Sequence, residues 1–231
     1  MHFLLTNDDG IDAPGLAALE KAVRAIPGAT VSIIAPAAEQ SMCGHRITTH
    51  SPLKIEARGD QRWAVHGTPA DCVRVGLFAM ALKPDWVISG VNAGGNLGQD
   101  IVISGTCAAA REAAYHGVKA MAFSHYLIRS LAVDWDRISA WTTELFMGQQ
   151  NQPLGDGEYW CFNFPHHPPG PRPLPTIREC QPARSPLKVG FITQADGSQL
   201  YHASYAERPR DEGSDVEACF AGDISLCRLH L

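Results

Sequence analysis

The chain is short of positive charge. Lys and Arg total 19 against 24 Asp and Glu, leaving a net charge of −5, and such a chain does not gather long polyanions by its overall field. Paired cysteines are missing too. The seven thiols lie scattered at positions 43, 72, 107, 161, 180, 219 and 227 with no C-x-x-C, which excludes zinc-ribbon and thioredoxin-type sites. Ten histidines occur without H-E-x-x-H, which excludes the helical zinc-protease pattern. Neither G-x-G-x-x-G nor G-x-x-x-x-G-K-[ST] is present, so dinucleotide hydride transfer and P-loop chemistry lose their main support. No stretch reaches the ~20 apolar residues of a membrane helix, and no basic start precedes a long apolar run. With an odd cysteine count, these absences lead us to expect reduced thiols in a cytoplasmic protein with no membrane and no nucleic-acid polymer among its partners.

What is there is ordinary globular material. Hydrophobic residues make up 45% of the 231 and charged residues 19%, which fits one large domain or one domain with an elaborated tail. Residues 2–6 read as a buried strand, Pro14 opens a helix with Leu16, Leu19, Val23 and Ile26 on one face, and residues 30–35 form a second strand closed by Pro36. A strand, a helix and a strand in 35 residues make a βαβ unit, hence a parallel sheet with a right-handed crossover. The fold class expected is α/β: a Rossmann-like three-layer core with a mostly parallel sheet and a β-rich C-terminal extension.

Strand-like stretches at 46–57 and 61–66 flank Arg58-Gly59-Asp60 and suggest a hairpin. Thr68-Pro69 reads as an N-cap with proline at the first helical position, opening a helix to about Leu82. Residues 85–89 are the next strand, 90–105 a glycine-rich loop, 106–116 a helix, 118–123 a strand and 134–147 a helix. Eight of the 16 prolines fall in residues 165–186, where helix and central strand are disfavoured. The chain is therefore expected to divide into a catalytic core, 1–150, and a proline-linked extension, 151–231, that packs on the core and serves dimerisation. His166-His167 lies in the proline run and reads as a solvated loop rather than a metal site. The other histidines are expected on surfaces or helix ends.

Four loops carry chemistry. Asp8-Asp9 follows the first strand directly, where doubly wound folds place their sites. Adjacent carboxylates repel and stay ionised most easily beside a cation, and oxygen donors suit Mg²⁺ or Mn²⁺; Asn-Asp-Asp-Gly is equally good turn chemistry. Asn92 and Asn96 stand in the glycine-rich loop after residues 85–89. Ser104-Gly105-Thr106 opens a helix, and a helix start with free N–H groups and two hydroxyls suits a phosphate, although a plain N-cap would look the same. Gln40-Ser41 follows the second strand. Four polar loops converging on one sheet edge describe an oxygen-only metal site beside an anion cradle.

These stretches resemble the SurE family, the survival-protein nucleotidases. The matching runs are L-L-T-N-D-D-G-I-D-A-P-G at 4–15, A-P-x-x-E-Q-S at 35–41, H-G-T-P-A-D-C-V at 66–73 and, most specific, the unbroken run from Pro84 to Ala113; N-F-P at 163–165 and G-S-D-V-E-A-C at 213–219 are weaker echoes. The resemblance implies a divalent-metal-dependent phosphatase that hydrolyses nucleoside monophosphates, a 5′-nucleotidase working by metal-activated water, with a homodimer or homotetramer as its assembly. It implies that Asp8, Asp9, Ser41 and Asn92 hold one Mg²⁺ or Mn²⁺ per subunit, that Asp8 and Asp9 are catalytic, and that Asn96, Ser104, Gly105 and Thr106 line the phosphate pocket. Two other readings stand beside it: Asp8 as a phosphorylated nucleophile, and a non-catalytic nucleotide-binding or assembly module. The chain departs from the family in two places. Met42 stands where glycine usually follows Gln-Ser, which costs energy if that position needs positive φ. The sequence also ends soon after G-S-D-V, where many relatives continue into a helical tail, so the exchange of C-terminal parts between subunits is expected to be reduced.

Overall fold

In the computed structural model, which describes residues 1–231, the alternation of side chains along each strand separates two cores. β1 (His2–Thr6) places Phe3 and Leu5 on one face and Leu4 on the other. α1 (Pro14–Arg24) lies on the first face, joined by β2 (Thr30–Pro36), which repeats the division with Ile33 against Ile34. The hairpin β3 (Ile55–Gly59) and β4 (Arg62–Val65) comes next, followed by α2 (Pro69–Arg74). Thr68 caps α2 with a full capping box: its hydroxyl accepts from Asp71 N while the Asp71 carboxylate accepts from Thr68 N. One π-helical turn, Val75–Ala79, extends that helix. The remaining elements are β5 (Trp86–Asn92), the short α3 (Asp100–Ile103), α4 (Gly105–Tyr115), β6 (Lys119–His125), α5 (Trp135–Gln149), β7 (Glu158–Phe164), β8 (Ile177–Glu179), the hairpin β9 (Gly190–Thr193) and β10 (Gln199–His202), α6 (Asp215–Ala221) and β11 (Ile224–His230).

Nine strands form one sheet in the order β3-β4-β2-β1-β5-β6-β7-β11-β8, parallel from β4 through β7, with β3 and β11 antiparallel to their neighbours β4 and β7. α1 packs on α5 over the face of large side chains, including Phe3, Trp86, Phe123 and Phe162. α2 packs on α4 over a face of small ones, including Ala109, Ala113, Ala120 and Ala122, which lets α4 sit close to the strands. The chain leaves β1 toward β2 on one side and returns to β5 on the other. β1 and β5 therefore flank the topological switch point, where a crevice opens at their carboxyl ends.

Three expectations need correction. Residues 46–54 are not strand, because Thr48 gives both its N–H and its hydroxyl to Asp71, each at 2.8 Å. His166 is buried rather than solvated: its Nδ1 accepts from Ile128 N at 2.7 Å, and its other ring nitrogen lies 3.3 Å from Ala132 O. His125, expected on a surface or at a helix end, is fully buried at the end of β6. The segment after 150 is β-rich as expected, with α6 among its strands, and β7 and β11 continue the central sheet. A long sheet hides its full width from sequence, because its edge strands come from distant parts of the chain. All seven cysteines are free, and no helix is long and apolar enough to cross a membrane.

Candidate active site at the switch point

Asp8 and Asp9 leave the end of β1 in a turn closed by Asn7 Nδ2 donating to Gly10 O at 2.8 Å. Asp8 is buried, and its Oδ1 accepts from the Thr106 hydroxyl at 2.6 Å. Burial, helped by the neighbouring charge of Asp9, pushes the Asp8 carboxyl up to about 6 against the opposing pull of the Thr106 hydrogen bond. Burial also raises Asp9, with Glu39 adding to the effect and the Ala93 N–H, 3.0 Å from Oδ2, opposing it. Both groups resist ionisation where they stand, so a cation beside them would find them receptive.

The other expected residues converge here. Asp8, Asp9, Ser41, Asn92, Asn96 and Ser104 all line one cavity of about 460 Å³. Asn92 turns its amide nitrogen to Gly94 O at 2.7 Å, which leaves its oxygen uncommitted. Ser41 donates to Glu39 Oε1 at 2.5 Å, leaving lone pairs on its oxygen. Ser104 caps α4 by accepting from Cys107 N at 3.0 Å, so its own proton remains to be given. Gly105 and Thr106 are not among the lining residues. A Cβ at Gly105 would lie 2.9 Å from both the Asp8 Cβ and the Cys43 sulfur; only glycine lets α4 begin this close to Asp8. Thr106 is fully buried with its hydroxyl on Asp8, so the structure uses it to orient that carboxylate.

The cavity's charge decides what it can hold. Its 18 lining residues include Asp8, Asp9, Glu39 and Asp100 and no Lys, Arg or His. A phosphate there would meet repulsion from the acidic side chains unless a cation joined it. The candidate donors are two carboxylates, an amide oxygen and a hydroxyl, a hard-oxygen set that fits Mg²⁺ or Mn²⁺. No group of three or more His, Cys, Asp or Glu side chains is placed to hold a metal ion.

Sequence reasoning missed the residues that shape the loop from Ala93 to Asp100. Asn163 on β7 clamps Asn96, accepting from its N–H at 2.8 Å and donating to its carbonyl at 3.1 Å, while Asn96 Nδ2 donates to Ser124 at 2.7 Å. The buried Asp215 accepts from Gly98 N at 2.7 Å and Ala183 N at 2.9 Å. Arg208 grips Asp100 through both terminal nitrogens, at 2.7 and 3.1 Å, and the Tyr205 hydroxyl donates to the same carboxylate at 2.8 Å. Asn163 and Asp215 fall in the two weak echoes of the resemblance, which was the signal that could have found them. Arg208 and Tyr205 carried none.

Fold and site together define a doubly wound α/β protein whose oxygen-lined ligand pocket lies at the switch point. The chain belongs to the SurE family: the family model described as survival protein SurE matches residues 3–185. It is 43% identical to a candidate 5′-nucleotidase of Synechocystis sp. over the whole of both chains. It is 38% identical to the 5′-nucleotidase SurE of Geotalea uraniireducens, covering all of this chain and 93% of that one. The crystal structure of the SurE protein from Aquifex aeolicus superposes with a TM-score of 0.84 at 30% identity, covering all of this chain and 93% of that one. The α/β class read from the sequence is the class observed.

Proposed function

We propose that the protein is a divalent-metal-dependent 5′-nucleotidase that hydrolyses nucleoside monophosphates to nucleoside and phosphate. The observation that carries this reading is a cavity lined by Asp8, Asp9 and Glu39, with no basic side chain, that also takes in Ser104, the N-cap of an eleven-residue helix. Asp8, Asp9, Ser41 and Asn92 would hold one Mg²⁺ or Mn²⁺ per subunit. When bound, the ion supplies charge neutralisation at a phosphoryl oxygen and a water of lowered pKa.

The chain's own groups do the rest. The Ser104 hydroxyl, whose proton is uncommitted, faces developing charge on the phosphoryl oxygens. Asn96 has a second amide proton to offer, the first being held by Ser124. Asp9 has one carboxylate oxygen on Ala93 N–H and the other free to take a proton from the attacking water. Thr106 and Gly105 support Asp8 from behind. The phosphorus–oxygen bond to the nucleoside breaks as the bond to water forms.

The assembly is read as a homodimer or homotetramer, supported by exposed Phe191, Ile192 and Leu200 on the β9–β10 hairpin. The location is read as cytoplasmic. Phosphate release from a panel of 5′- and 3′-monophosphates with Mg²⁺, Mn²⁺ or EDTA tests the function. Turnover of 5′-monophosphates that vanishes in EDTA is the expected result; turnover that persists in EDTA, or none with either metal, overturns it.

A further inference from the structure

Met42 combines two unfavourable features at one position. Its backbone is left-handed, with φ of +54°, a region that side-chain-bearing residues avoid and glycine adopts freely. Its apolar side chain is 77% exposed. The surrounding loop does not let it relax. Gln40 N donates to Asp8 O at 2.8 Å on one side, and Gly44 N donates to Ile103 O at 2.9 Å on the other. Strain held this firmly beside a functional site is an observation from which a role can be argued.

The position of Met42 supplies that role. It lines the cavity that holds Asp8 and Asp9, together with Ile103, Leu187 and Tyr201, which come from α3, the segment before β9, and β10. Ile103 and Tyr201 are also exposed. The cavity therefore has an acidic, hydroxyl-lined inner end and an apolar outer end, and its volume of about 460 Å³ accommodates much more than a phosphate. Tyr205 nearby is committed elsewhere: its hydroxyl is on Asp100, and the Arg208 guanidinium lies 4.3 Å from its ring.

Building on the 5′-nucleotidase reading, we infer that Met42 and Tyr201 form an apolar rim that receives the nucleobase, making Met42 a specificity-determining residue for the leaving nucleoside. Thioether sulfur and tyrosine rings both contact aromatic bases favourably. A contact of this kind converts to about a 2- to 10-fold change in affinity.

The test compares the Mn²⁺-loaded enzyme on adenosine 5′-monophosphate and on ribose 5-phosphate, which lacks the base. The wild type should favour the nucleotide in kcat/KM by at least about 10-fold, an order set by one stacked base. M42A should lower that ratio by about 2- to 10-fold, M42L should restore most of it, and Y201A should lower it independently. Inhibition by adenosine, which has no phosphate, should weaken in M42A by the same factor. M42G should show the same loss of ratio with an unchanged or higher melting temperature, because glycine relieves the strain. The inference is overturned if M42A slows both substrates equally, if the ratio does not move, or if the wild type does not discriminate between them. Absence of turnover on both substrates would instead remove the 5′-nucleotidase reading beneath it.

Discussion

At the inner end of the cavity the functional groups are buried and fixed by the sheet. Asp8 and Thr106 come from opposite sides of the switch point and meet at 2.6 Å. At the outer end the wall is assembled from an exposed loop, a single short helix and a hairpin, and Met42, Ile103 and Tyr201 remain open to solvent. The inner end stores electrostatic cost in desolvated carboxylates, which a cation can offset. The outer end carries no such buried charge; its one local cost is the left-handed backbone of Met42. Chemistry and selectivity are therefore separable in this molecule, and the loop from Ala93 to Asp100, latched by Arg208 and Asp215, joins them.

The sharpest way to break this division is Asp8→Asn. It should lower kcat by on the order of 10³-fold, read as phosphate release at saturating Mn²⁺. Because it removes a charge held against desolvation, the melting temperature of the metal-free protein should stay level or rise. A parallel loss of folding would mean that the inner end is structural rather than functional.

Arg208→Ala attacks the latch. Its side chain is 3% exposed and Asp100 is 16% exposed, so removing one partner should cost about 3–4 kcal/mol in urea unfolding and raise KM through the loosened loop. Glu112 tests the anchorage of the loop that carries Ser41 and Met42. Its carboxylate lies between His45 at 2.6 Å, Arg74 at 2.5 Å and His116 at 2.9 Å. Burial pushes its pKa up, but these three hydrogen bonds outweigh burial and bring it from 4.5 to about 2. A carboxyl with a lowered folded pKa stabilises above its unfolded value and loses that contribution as pH falls. The wild type should therefore lose stability as pH falls from 4.5 to about 2 on account of Glu112, and Glu112→Gln should lack that share of the acid dependence.

The smallest effect expected is from Thr106→Val. It removes the hydrogen bond that holds the Asp8 pKa down, so the carboxyl titrates higher. Mn²⁺ affinity should fall about 10-fold near pH 6 and much less near pH 8, measured by metal titration. An equal loss at both values would mean that Thr106 fixes geometry alone.

The inner end was legible in the sequence because each of its residues stands just after a strand or just before a helix. Asp8-Asp9, Ser41, Asn92 and Ser104 could be assigned to one sheet edge by counting elements. Thr106 was legible as part of the site but not in its orientation, since a helix-opening threonine can point outward to a ligand or inward to a carboxylate. The outer end was hardly legible. Tyr205 and Arg208 lie about 100 residues from the loop they meet, and Tyr201 shares their segment, whose composition suggested only linkage and assembly. His166 misled for a related reason: proline-rich surroundings suggest solvent, yet the loop between β6 and α5 engages it through Ile128 and Ala132.

By itself the sequence determined the βαβ start, the parallel sheet and which polar loops reach one sheet edge, because periodicity, caps and turn residues act over a few positions of the chain. It also determined the family, through an unbroken motif from Pro84 to Ala113. Only the tertiary structure decided that β7 and β11 complete the sheet, that Arg208 and Asp215 shape the loop, that Thr106 serves Asp8, and that Met42 is held left-handed at the cavity mouth. Those outcomes depend on contacts between distant segments and on what burial does to their charges, which no local pattern encodes.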